Sequence, residues 1–83
     1  MQARAIALHG APTRYKPGQM RCWIEEDNKG IVVLGIRWLL QEPWRTGKAT
    51  SSLAVYSKEA INTNKGIRMG RKVFCTTWYD WER

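Results

Sequence analysis

The chain predicts a small single α+β domain with one or two short helices and β-hairpins; the alternative is a small mostly-β barrel. Three observations lead there. Its 83 residues support one hydrophobic core, so residues 1–83 form one domain. Runs rich in β-branched, aromatic or alternating apolar residues recur at 20–26, 31–34 and 72–79, with turn residues between them. One segment, 53–61, carries apolar residues at helical spacing behind the hydroxyls of Thr50, Ser51 and Ser52. Hydrophobic residues are 43% of the chain and charged residues 25%, the balance of a folded protein rather than a disordered one.

In chain order, residues 2–8 contain good helix formers and stop at His9-Gly10, which predicts a short helix, with an edge strand as the competing reading. Residues 11–19 hold Pro12, Pro17 and Gly18 and predict loop. Met20, Cys22 and Ile24 alternate with Arg21, Trp23 and Glu25, which predicts a strand. Asp27-Asn28-Lys29-Gly30 then supplies a turn into Ile31-Val32-Val33-Leu34, so a hairpin is expected over 20–34. Residues 35–42 fit either a continued strand or a short helix stopped by Pro43. A polar turn centres on Gly47. Leu53, Tyr56, Ala60 and Ile61 share a helical face, and residues 62–66 end that helix; a strand over 52–56 competes. A second hairpin is expected over 67–79, with its tip at 69–72, and Trp78 and Trp81 closing the core.

The formal net charge is +7, and its placement is uneven. Between Pro43 and Tyr79 stand Arg45, Lys48, Lys58, Lys65, Arg68, Arg71 and Lys72 against Glu59 alone. Such a field attracts phosphate backbones or anionic surfaces. The two cysteines, Cys22 and Cys75, do not make a disulfide framework, although a single bridge between them is an alternative. The Arg-bearing, acid-free first 24 residues superficially resemble a transit peptide but, with Pro12, Pro17 and Gly18, read as part of the mature protein. No apolar run reaches about 18 residues, so no membrane span is expected. A reducing, cytoplasmic setting is the expectation.

Catalysis has little support, and no enzyme activity, catalytic residue, metal or cofactor is expected. His9 is the single histidine, and no second one stands ready to activate a cysteine. His9, Cys22 and Cys75 match no zinc spacing. Glu25-Glu26-Asp27 reads as a solvated turn rather than a magnesium site. Gly47-Lys48-Ala49-Thr50 lacks both the upstream glycine and the adjacent hydroxyl of a phosphate-binding loop.

Binding has more support. Lys65, Arg68, Arg71 and Lys72 crowd one turn, where Arg forks meet phosphate or a groove, and Arg45, Lys48 and Lys58 add phosphate contacts. Nucleic acid is therefore the expected partner, DNA ahead of RNA and duplex ahead of single strands. Tryptophans beside cations (Trp23, Trp38, Trp44) read first as core, and second as stacking platforms. A competing reading of the whole chain is a small phage-type antagonist or adaptor that docks on a host protein through a basic, Trp-rich surface.

Residues 57–61 (SKEAI), 65–74 (KGIRMGRKVF) and Asp80-Trp81 resemble the end of excisionase-type winged-helix proteins of phages. That resemblance covers about the last 27 residues. It implies a recognition helix bearing Ser57, Lys58 and Asn62, a wing bearing Arg68, Arg71 and Lys72, and a role as a regulatory or recombination accessory factor. Upstream the chain departs from the family pattern, with Pro43 and Gly47 where a tightly spaced first helix belongs.

Overall fold

In a computed structural model, which describes residues 2–40 and 47–79, one helix and six strands form an α+β domain. The elements are β1 (Gln2–Pro12), α1 (Pro17–Asp27), β2 (Val33–Trp38), β3 (Thr50–Asn62), β4 (Ile67–Met69), β5 (Lys72–Phe74) and β6 (Thr76–Trp78). Four strands make an antiparallel sheet in the order β2-β3-β1-β6, and β4 and β5 pair separately as a hairpin. The molecule is thin, 33 × 30 × 20 Å, enough for two layers. One layer is the sheet; the other is α1 with the β4–β5 hairpin beside it.

Register decides which side chains meet. Ile6 pairs with Val55 and Leu8 with Leu53, while Ile36 and Trp38 lie opposite the same two β3 residues. Side chains directly opposite share a face, so these six line the side that α1 covers. Met20 and Ile24, one helical turn apart, reach down to them, and Ile67 and Met69 come in from the hairpin to complete the core. Burying each such aliphatic side chain contributes about 1.5–3 kcal/mol before the cost of ordering the chain. Ser57 is the buried polar exception in β3. Its hydroxyl reaches the carbonyls of Arg4 and Glu59 where the β1–β3 ladder breaks register.

Several expected elements change. Residues 20–27 are helix, not the first arm of a hairpin. Met20 and Ile24 satisfy both an alternating and a one-turn spacing, but Cys22 between them is exposed, and Pro17 sits at the start where its missing N–H is harmless. The strand expected at 31–34 begins at Val33 and runs to Trp38. Residues 2–12 are a strand, and an interior one between β3 and β6. Residues 53–61 are strand as well: Leu53 and Val55 join the core two residues apart, and β3 gains partners on both sides. The recognition helix implied over 57–62 is accordingly a strand. The C-terminal hairpin closes at Phe74, and β6 turns away to pair with β1. Trp78 is 57% exposed instead of closing the core, and Val73 is exposed while Ile67 and Met69 do the anchoring. Trp81 lies outside the described residues.

Helix α1 begins poorly capped. Lys16 occupies the N-cap with extended φ/ψ of −82° and 149°, but its side chain accepts nothing, and the first turn carries no acid. A hydroxyl there would accept one of the orphan N–H groups. Lys16→Ser is therefore expected to stabilise the domain by about 0.5–1 kcal/mol, read as an upward shift in the urea midpoint.

Candidate nucleic-acid interface

The β4–β5 hairpin closes through a two-residue turn. Met69 pairs with Lys72, and Gly70 and Arg71 between them both adopt left-handed backbone, with φ of 60° and 72°. Positive φ at both central residues is the mirror-image turn whose twist matches the strands it joins. Arg68, Arg71, Lys72 and, at the hairpin's foot, Lys65 are all exposed along this one element, Arg68 opposite Val73 on one face and Lys72 opposite Met69 on the other.

That element is fastened to the end of α1. The Asn28 amide nitrogen donates to the Arg68 carbonyl at 2.6 Å and to the Ile24 carbonyl at 2.7 Å. Its amide oxygen accepts the Arg68 N–H at 3.1 Å, so one side chain pairs with β4 as a neighbouring strand would. Asp27 accepts the Gly70 N–H at 2.7 Å, and Glu25 accepts the Val33 N–H at 2.9 Å. The Glu25-Glu26-Asp27 cluster is thus the last turn of a helix, and two of its carboxylates hold backbone in place. This leaves the Arg68 backbone fixed and its guanidinium outside.

The remaining expected cations disperse. Lys58 is exposed on β3, two residues past Tyr56, and Lys48 is exposed in the turn before β3, its carbonyl accepting the Thr13 hydroxyl. Arg45 lies outside the described residues. Arg14 joins the hairpin unannounced: its guanidinium carbon stands 4.9 Å over the Tyr15 ring, which meets Trp23 edge-on at 4.8 Å. Those three residues, with Met69, Lys72 and Phe74, wall a cleft of about 400 Å³ between the hairpin and α1. Cys22 and Cys75 are both free and exposed, and among the described residues no three potential ligands gather for a metal ion. No helix among the described residues is long and apolar enough to cross a membrane.

On the far side of the sheet is a group that sequence reasoning passed over. His9 Nδ1 lies 2.9 Å from the Ser52 hydroxyl on β3, and its Nε2 lies 2.8 Å from the Thr77 hydroxyl on β6. Arg37 donates to the Tyr79 hydroxyl at 3.2 Å. The strand alternation around Arg37 and Tyr56 was the available signal, obscured while 53–61 read as helix. Comparison with protein-family models, with curated proteins and with solved structures returned no match.

Proposed function

We propose that the protein is a non-catalytic nucleic-acid-binding module, with the β4–β5 hairpin as its phosphate-contacting element. The observation that carries this reading is the exposure of Lys65, Arg68, Arg71 and Lys72 on a backbone tied to α1 through Asn28 and Asp27. A backbone held in advance loses little freedom on meeting phosphate, and the contribution of the cations it carries falls with salt as counterions are released. Arg14 and Lys72 on the rim of the aromatic cleft extend the same charge around the hairpin. The expectation of duplex DNA drew on the hairpin together with a neighbouring helix at 53–61; with that segment in the sheet, the hairpin alone supports nucleic acid of either strandedness.

Arg71→Gly separates charge from stability. Arginine in left-handed backbone costs about 1 kcal/mol that glycine does not pay. The variant should therefore melt at or above the wild-type temperature while its affinity for nucleic acid drops and the slope of log K against log salt shrinks by about one. Unchanged affinity and slope would remove Arg71 from the interface.

Trp78 at the exposed edge strand β6 and Val73 on β5 favour a second reading, docking on another protein. A complex that survives nuclease and high salt is its signature.

A further inference from the structure

We propose that the sheet face turned away from α1 is a base-stacking platform for single-stranded nucleic acid, a site that rests on the nucleic-acid reading but is separate from the hairpin. The register fixes its composition. Ala5 lies opposite Tyr56, and Ala7 lies opposite both Ala54 and Thr77, while Arg37 faces Ala54 from β2. Ala7 and Ala54 are 4% and 0% exposed, yet neither belongs to the hydrophobic core cluster. They are the low floor of the second face.

Planar groups lie over that floor. Arg37 stands on β2 at one edge of the sheet, and Tyr79 follows β6 at the other, its N–H bonded to the Ala5 carbonyl. Neighbouring strands are about 4.8 Å apart, so the 3.2 Å bond between Arg37 Nη2 and Tyr79 Oη forms only with both side chains laid across β3 and β1. Small residues beneath are what permit this. His9 is spent in a similar way: both ring nitrogens are held by hydroxyls of the flanking strands, which leaves the imidazole face rather than its edge for a ligand. Tyr56 is half-buried beside them on β3.

Flat rings and a guanidinium on an alanine floor suit unstacked bases, which present a π-face whatever their identity. A duplex keeps those faces covered, so the nucleic acid that fits them is a single strand. Charge agrees. Among the described residues the carboxylates are Glu25, Glu26 and Asp27 on α1 and Glu59 on β3, three positions past Tyr56, so the platform residues His9, Arg37, Tyr56 and Tyr79 include a cation and no anion. A shallow cleft shared by His9 and Lys72 joins this face to the hairpin, giving a strand a continuous course from stacked bases to phosphate contacts.

The test compares the wild type with Tyr56→Leu/Tyr79→Leu on oligo(dT), oligo(U) and a DNA duplex of equal length. Expected is a loss of about five- to a hundredfold per tyrosine on the single strands, with duplex affinity within about twofold. Stronger binding of oligo(U) or of oligo(dT) supports the platform in either case and assigns RNA or DNA. No loss, or equal loss on all three, overturns the platform and leaves the hairpin reading standing; absence of binding by the wild type removes both. Photocrosslinking of halogenated oligo(U) and oligo(dT) to the wild-type protein gives a readout independent of the variant's folding. Adducts at Tyr56, Tyr79 or His9 are expected, and adducts confined to residues 65–72 would overturn the proposal.

Discussion

Glutamate at Arg68, Arg71 and Lys72 together is expected to leave a folded protein that no longer binds nucleic acid at moderate salt. All three side chains are exposed, and the bonds that hold the hairpin use the backbone of Arg68 and Gly70, which the substitutions leave untouched. Ile67 and Met69 stay in the core. Each charge-assisted contact to phosphate contributes on the order of 1 kcal/mol or more, so losing three lowers affinity by roughly a hundredfold at least, before repulsion is added. The salt slope should fall by about two to three, because three fewer counterions are released. Circular dichroism and the urea midpoint check that the fold persists. A triple variant that binds as the wild type does at the same salt would place the interface elsewhere. Loss of binding only to duplex, with single strands retained, would instead show the sheet face acting without the hairpin.

The part of this chain legible in its sequence is the part whose conformation is decided locally. Gly70-Arg71 between Met69 and Lys72 sets a tight turn through backbone geometry alone, so the hairpin tip and its cations stand where composition placed them. Residues 53–61 are the opposite case. Leu53, Tyr56, Ala60 and Ile61 fit a helical stripe, and Leu53, Val55 and Ser57 fit a strand; pairing with β1 on one side and β2 on the other selects the strand. No local property carries that information. Residues 20–27 fail for a similar reason, since α1 buries only Met20 and Ile24, too few to distinguish the two periods. The second sheet face was hidden by distance along the chain: Arg37 meets Tyr79 across 42 residues and His9 meets Thr77 across 68. Such pairs become visible only once the strand order is known.

Gly66→Ala should be among the most destabilising single changes in the protein, and Gly70→Ala should not, although both glycines have positive φ. A Cβ on Gly66 would stand 2.6 Å from the Phe74 carbonyl oxygen and 3.2 Å from the Val73 side chain, while one on Gly70 meets nothing within 4 Å. Both pay about 1 kcal/mol for left-handed backbone. Only Gly66 must also push strand away from strand, at the base of a hairpin whose Ile67 and Met69 side chains help close the core. Backbone strain and lost packing together bring its cost to about 2–4 kcal/mol, against a total stability on the order of 4–12 kcal/mol for a chain this size. In thermal melts that is a fall of roughly 10–25 °C, compared with roughly 4–8 °C for Gly70→Ala. Affinity should follow stability at Gly66, because a hairpin that detaches from α1 no longer holds its cations in place. Equal melting temperatures for the two variants would mean that β4 and β5 are not anchored by the close approach at Gly66, and that the hairpin's rigidity has another source.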